Sequence, residues 1–164
     1  LISQVCKKNT WLQNASISLN KEAKGSYKAD GISSLTDFKK GSTDFRANNY
    51  WLGFQEKELI ITIDLKKSQP IKEVIVSCLD DHKSWIFGPA EIEVWSSGKL
   101  LGKQVWKEPK HGKESSLKYG NVQLEKMNIK TFEIKIKSLK NGIPPWHPGK
   151  ETIPWLFIDE IILN

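Results

Sequence analysis

Three stretches of this sequence carry residues that strands do not need. They are Gly41-Ser-Thr-Asp-Phe-Arg-Ala-Asn-Asn-Tyr-Trp51, Leu79-Asp-Asp-His-Lys-Ser-Trp-Ile-Phe87, and the run from Asn141 to Pro154 that contains Pro144-Pro145-Trp146-His147-Pro148. Between them they hold the only arginine, two histidines and three tryptophans. An indole face is an apolar plate that can cover the C–H face of a pyranose, adding about 0.5–1.5 kcal/mol beyond the area it buries. Arg46, Asn49, His82 and His147 are planar, multidentate partners for hydroxyl groups. A hydrogen bond to a charged group contributes about 1.5–3 kcal/mol. A few such bonds and one plate, less the cost of association, predict binding near the millimolar end, about −4 kcal/mol. The chemistry on offer is sugar recognition.

Each of these residues also has a plainer reading. Trp51, Trp85 and Trp155 adjoin strand runs, where tryptophans commonly pack in a core. Trp146 sits among prolines and a glycine, where no strand forms. His147 can serve a loop carbonyl, His82 can be simply exposed, and Arg46 can pair with Asp44. The candidate set for sugar contact is Arg46, Asn49, His82, Trp85, Trp146 and His147.

Catalysis finds little support. Asp80-Asp81 and Asp159-Glu160 are adjacent pairs, and neighbours on a strand point to opposite faces, which does not frame a glycosidic bond. No Gly-x-Ser-x-Gly, His-Glu-x-x-His or phosphate-cradling loop is present, and His82, His111 and His147 lack zinc-ligand spacing. Calcium is the better metal candidate, because Leu35-Thr36-Asp37 through Gly41-Ser42-Thr43-Asp44 is dense in hard oxygens. An Asx-type turn without an ion is the alternative.

The elements that must position these loops are strands. Leu59, Ile61, Ile63 and Leu65 alternate with less apolar neighbours, as do Val74, Val76 and Cys78, then Ala90, Ile92 and Val94, then Phe132, Ile134 and Ile136. That period of two marks half-buried strands. Trp155 to Leu163 is apolar on both faces except at Asp159 and Glu160, which suits a central strand, and Ile17 with Leu19 makes a weaker first one. Breakers separate them at Ser68-Gln69-Pro70, Gly88-Pro89, Ser96-Ser97-Gly98 and Asn141 to Gly149. Leu117 to Ile129 reads as helix or strand. Many short strands in 164 residues predict one all-β sandwich domain over 1–164, whose loops gather at its edges.

Composition narrows the partners. The formal charge is +6, but of 25 basic side chains only Arg46 is arginine, and nucleic-acid readers favour arginine's bidentate fork. No stretch approaches the roughly 18 apolar residues of a membrane-spanning helix. Cys6 and Cys78 make no disulfide framework, and Cys78, within an apolar run, reads as a buried thiol. Asn14-Ala15-Ser16 is a glycosylation sequon, meaningful only in a eukaryotic secretory pathway. Beginning at Leu1, the sequence reads as a mature product or an excised domain.

Several motifs resemble one family. Gly41-Ser-Thr-Asp-Phe-Arg46, Tyr50-Trp-Leu-Gly-Phe54, Ser84-Trp-Ile-Phe-Gly-Pro89, Pro145-Trp-His-Pro-Gly149 and Trp155-Leu-Phe-Ile-Asp-Glu-Ile161 are similar to the coagulation-factor type C, or discoidin-like, domain. The version appended to bacterial family 20 β-N-acetylhexosaminidases is especially similar. The resemblance spans about residues 35–163 and covers 1–34 weakly. It implies a jelly-roll sandwich of about eight strands, galactose-binding-domain-like, with ligand loops at one edge. It also implies a structural calcium held by Leu35, Asp37, Ser42 or Thr43, and Glu160. Relatives carry an Asp-Gly pair there; this chain reads Asp37-Phe38, with Asp30-Gly31 as a rival register. Relatives of the family 32 carbohydrate-binding type recognise galactose, N-acetylgalactosamine or N-acetylglucosamine. Others bind phospholipid through apolar spikes, here Phe45, Tyr50 or Phe87. The expected function is a non-catalytic carbohydrate-binding module of an extracellular or periplasmic glycoside hydrolase, partnered by glycan and by the parent's catalytic domain. A purely structural domain packed on that partner, or a phospholipid binder, is the alternative.

Overall fold

The computed structural model describes residues 10–164, so Cys6 lies outside the described residues. The alternating runs become strands: β1 (Ser16–Leu19), β2 (Leu52–Phe54), β3 (Glu58–Asp80), β4 (Glu91–Ser96), β5 (Lys99–Val105), β6 (Ser116–Lys137) and β7 (Leu156–Leu163). Helix among the described residues is one α-turn at Thr10–Gln13 and two 3-10 turns, Gly31–Thr36 and His82–Ser84. The strands pair antiparallel in the order β2-β7-β3-β6-β4-β5, with β1 on β3.

Seven strands make a two-layered sandwich because two of them serve both layers. A straight strand the length of β3, 23 residues, would run about 75 Å, several times the span of one layer. β3 instead shifts register against β6 between Asp64 and Gln69 and again between Ile71 and Glu73. Such bulges bend and twist a strand. The first half of β3 pairs with β1 and the end of β6, which also pairs with β4; its second half pairs with β7 and the start of β6. Ser68-Gln69-Pro70, expected as a break, is therefore a bend within one strand, and Lys66 to Ser68 face solvent there. Leu117 to Ile129 is strand throughout.

Inward residues of both layers form one core, including Leu59, Ile61, Ile63, Val74, Val76, Ile92, Val94, Phe132, Ile134 and Ile136. Cys78 is a free thiol within it, and burial pushes its pKa up to about 12, so it is chemically inert. A second cluster, Phe45, Trp51, Leu79, Ile86 and Phe157, lies under the loops. Trp51 is core, as the plainer reading had it: its indole nitrogen donates to the Ser42 carbonyl, and a Cβ at Gly41 would lie 2.3 Å from its ring. Two of the three candidate lipid spikes, Phe45 and Phe87, are buried as well and have no side chain to offer a bilayer.

Candidate functional site

The loop after β3 sets the site. Asp81 and Ile86 exchange backbone hydrogen bonds, and the 3-10 turn between them closes through Ser84 N–H to Asp81 and Trp85 N–H to His82. This geometry turns His82 inward, 6% exposed, and Trp85 outward, 41% exposed. Trp85 sits at φ +65, a left-handed conformation that costs a bulky residue about 1–3 kcal/mol. Its ring lies against Gly149, where a Cβ would come within 2.7 Å of it.

His82 stacks flat on Phe87, ring centroids 4.1 Å apart, and its two ring nitrogens have no hydrogen-bond partner in the protein. Asp80 Oδ1 is 3.6 Å from Nε2, beyond hydrogen-bond reach. Burial holds the His82 pKa below its ordinary value, with the Asp80 charge pulling the other way. The imidazole is therefore neutral at pH 7 and offers one donor and one acceptor.

His147 plays a different part. Its Nδ1 accepts from Gly149 N–H at 2.9 Å, so Nε2 carries the proton and donates to the His82 carbonyl at 2.7 Å. Nδ1 thus braces the Asn141–Pro154 loop internally, and Nε2 ties that loop to the one after β3. Trp155 N–H to Trp85 and Phe87 N–H to Trp155 add two backbone ties. Trp146, half-buried, packs its ring 5.7 Å from His82 and 5.1 Å from His111.

A cavity of about 660 Å³ opens beside His82, walled by Asp80, Trp106, His111, Lys113 and Lys118. A larger cleft of about 940 Å³ shares its Trp106–Pro109 wall and continues past Pro144 and Pro145. Asp80 is the electrostatic centre of the smaller cavity. Its Oδ1 accepts from Gly88 N–H and its Oδ2 from Lys113 Nζ, each at 2.6 Å. Burial pushes its pKa up, but Lys113, the Gly88 amide and Lys118 together bring it below the usual carboxylate value. Lys118 donates to the Pro89 carbonyl and stands 4.4 Å over the Trp106 ring; burial lowers its pKa, and Asp80 partly restores it.

Because the Asp80 pKa is lowered on folding, its stabilisation is full above the unfolded value near 3.8 and lost as pH falls through the folded value. Asp80→Asn is expected to cost about 1.5–3 kcal/mol at pH 7. It should cost progressively less as the pH drops below 4. Urea melts of both proteins at pH 7, 4 and 3 measure this; a constant difference would exclude the charge as its source.

Of the sequence candidates, the structure brings together His82, Trp146 and His147, with Trp85 on the same turn. Of the six, only His82 lines either cavity; Trp85, Trp146, His147, Arg46 and Asn49 line neither. Arg46 is exposed and lies 4.3 Å over the Phe45 ring, and Asn49 is exposed. Sequence reasoning weighs Asp80 only as half of an acidic pair and does not single out Trp106, Lys113 or Lys118, since lysines so common carry no signal of which ones line a cavity.

The acidic pair on β7 departs from strand alternation. β7 shifts register against β3 between the pairs Ser77–Glu160 and Cys78–Ile158, leaving Asp159 in a bulge. Asp159 and Glu160 consequently both meet the segment from Phe38 to Gly41, instead of facing opposite ways. Asp159 accepts from Gly41 N–H at 2.6 Å and from Lys40 Nζ at 3.1 Å; Lys40 also bonds Ser77. Glu160 Oε2 accepts from Phe38 N–H at 3.0 Å, and its buried Oε1 has no partner. Burial, with the charges of Asp37 and Asp159, pushes the Glu160 pKa up to about 9.

Phe38 adopts φ +64, the left-handed conformation a glycine takes without strain. Phe38 lies beside Glu160, its N–H on that carboxylate. Asp30 instead begins the 3-10 turn, its N–H bonded to Ser34, and its carboxylate is largely exposed. Leu35 is buried in that turn; the Ser42 hydroxyl donates to the Asp44 carbonyl, and Thr43 is exposed. Among the described residues no three carboxylate, histidine or cysteine side chains converge on one point. An ion here would take two carboxylates and complete its shell from carbonyls, hydroxyls and water, a donor set that suits calcium. The orphaned Glu160 oxygen fits such an ion.

No family model matches the sequence, and no curated protein matches it. Solved structures do. A Streptococcus pneumoniae fucose binding module, SpX-3, is 11% identical, with TM-score 0.58, over 94% of this chain and 96% of that one. A Clostridium perfringens module, CpGH89CBM32-5, solved with GalNAc-β-1,3-galactose, is 12% identical, with TM-score 0.56, over 93% and 96%. A Ruminococcus gnavus GH29 fucosidase is 14% identical, with TM-score 0.51; 92% of this chain spans 25% of that enzyme. Likeness at these identities speaks to architecture: the chain has the jelly-roll β-sandwich fold of these structures.

Proposed function

We propose that this domain is a non-catalytic carbohydrate-binding module that takes a sugar in the cavity beside His82. One observation carries the reading: His82 is buried, neutral and stacked in place, yet neither ring nitrogen has a partner within the protein. Buried polar groups left so are costly, and ligand hydroxyls that displace the side chains covering them would satisfy them. His82 and Lys113 are the hydroxyl partners, Trp106 is the apolar wall, and the exposed Trp85 is a plate for a further sugar. Galactose and N-acetylhexosamines are the first candidates, with fucose added by the ligands of the similar structures. Calcium beside Asp37 and Glu160 is part of the proposal, as a structural ion securing the loop that precedes β2. So is a parent glycoside hydrolase of the β-N-acetylhexosaminidase type outside the cell or in the periplasm. Such a module holds its enzyme near glycan and raises effective concentration.

Calorimetric titration with galactose, N-acetylgalactosamine, N-acetylglucosamine and fucose tests the reading, with a millimolar dissociation constant expected for at least one. Trp85→Ala, at an exposed position, should weaken that binding about three- to tenfold. A folded protein that binds none of the four, nor any glycan on an array, would overturn it.

A further inference from the structure

Resting on that reading, we infer that the sugar this cavity takes is acidic, bearing a carboxylate or a sulfate ester. The cavity beside His82 is lined by Lys107, Lys110, Lys113 and Lys118 against two acids, Asp80 and Glu108. Asp80 is already spent: one oxygen holds the Gly88 amide and the other the Lys113 ammonium. Lys118, half-buried, meets a carbonyl and an indole face where a second carboxylate would serve it better. The Asp80 carboxylate is thus taken by the exposed Lys113, the half-buried Lys118 has no carboxylate in contact with it, and the cavity is short of negative charge.

The surplus is local. The neighbouring larger cleft sets Lys57, Lys107, Lys137 and Lys140 against Glu58, Glu91, Glu108 and Glu151, an even balance. Lys137 there is paired twice, with Glu91 at 3.2 Å and Glu93 at 2.6 Å. General basicity of the chain would have left both cavities positive. Concentration of unpaired cations around an unpartnered histidine and an aromatic wall selects a pyranose that carries its own anion. The ligand's ring and hydroxyls meet Trp106 and His82, and its charged group meets Lys118 and the rim lysines.

Matched pairs decide the matter. Galactose against galacturonate, and N-acetylglucosamine and N-acetylgalactosamine against their 6-sulfates, are titrated calorimetrically at 20 and 300 mM NaCl, with sodium sulfate as a control. In at least one pair the acidic sugar should bind about tenfold more tightly at low salt, since charge-assisted hydrogen bonds are roughly twice as strong as neutral ones. The advantage should shrink at high salt and in the Lys107→Gln/Lys110→Gln double variant, whose positions are exposed. Equal binding within every pair, or preference for the neutral member, overturns the inference and leaves sugar binding standing. Sulfate ion competing at the sugar's own affinity overturns it in favour of a bare anion site. Binding of neither member of any pair overturns the inference, and the sugar reading falls with it only if fucose and the glycan array are also negative.

Discussion

His82→Phe is expected to raise the melting temperature and to abolish sugar binding in the same molecule. Phenylalanine keeps a flat ring of similar size on Phe87, where the imidazole now stacks at 4.1 Å. It removes two ring nitrogens that the folded protein buries without partners. Each such group costs about 1–3 kcal/mol when desolvated unpaired, and replacing it by an apolar atom of the same shape removes that cost. A net gain of about 1–2 kcal/mol corresponds to about 3–6 °C in a domain of this size. The same change deletes the donor and acceptor that hold sugar hydroxyls, so affinity should fall at least tenfold. Thermal melts and titration of the two proteins suffice. A variant less stable than the parent would mean that the nitrogens are satisfied by Asp80 after all, and unaltered sugar affinity would place the ligand elsewhere.

The opposition of stability and function at His82 is repeated around it. Trp85 is held left-handed at φ +65. That strain costs the fold something and aims the indole at the loop edge. Proteins tend to break their local rules at functional sites, and here two departures, His82 and Trp85, fall within four residues of sequence.

The layers were legible because alternation survives in their middles: Leu59 to Leu65, Val74 to Cys78 and Phe132 to Ile136 all bury the side that their period assigns. It failed where a strand bends. Pro70 reads as a stop, yet β3 runs through it because a bulge leaves that stretch at the surface. A bulge also undid the reasoning on Asp159 and Glu160, since one extra residue turns both toward the same segment. His82, Trp146 and His147 were visible as residues strands do not need, and the loops did meet. Arg46 stood out by rarity, which is a property of composition and says nothing of location. Lys113 and Lys118 were hidden by the opposite effect, being two lysines among many. Only three-dimensional closure of the Val105 to Ser116 segment over Asp80 distinguishes them.

Glu160→Gln should stabilise the calcium-free protein at neutral pH and remove its response to calcium. In the folded, metal-free state the carboxyl has a pKa of about 9 against an ordinary 4.5, so near pH 7 the fold holds a proton that the unfolded chain has released. A folded value raised above the unfolded one means stability is greatest below 4.5 and declines as pH rises toward 9. Glutamine keeps the acceptor for Phe38 N–H and removes the titration, so its melting temperature should be the higher of the two at pH 7–9, and flatter with pH. Calcium requires the carboxylate, so binding would release this proton and strengthen as the pH approaches 9. At a concentration of one hundred times the dissociation constant an ion binding only the folded state contributes about 2.7 kcal/mol, or about 5–10 °C here. Melting curves at pH 6, 7, 8 and 9, in EDTA and in 10 mM calcium chloride, separate the cases. Parent protein stabilised by calcium more at pH 8 than at pH 6, with the variant indifferent to it, supports the ion; equal calcium shifts in both proteins would remove Glu160 from its coordination. No shift in either, with the EDTA slopes still different, would leave Glu160 as a buried acid that the fold keeps protonated, its orphaned oxygen carrying the hydrogen.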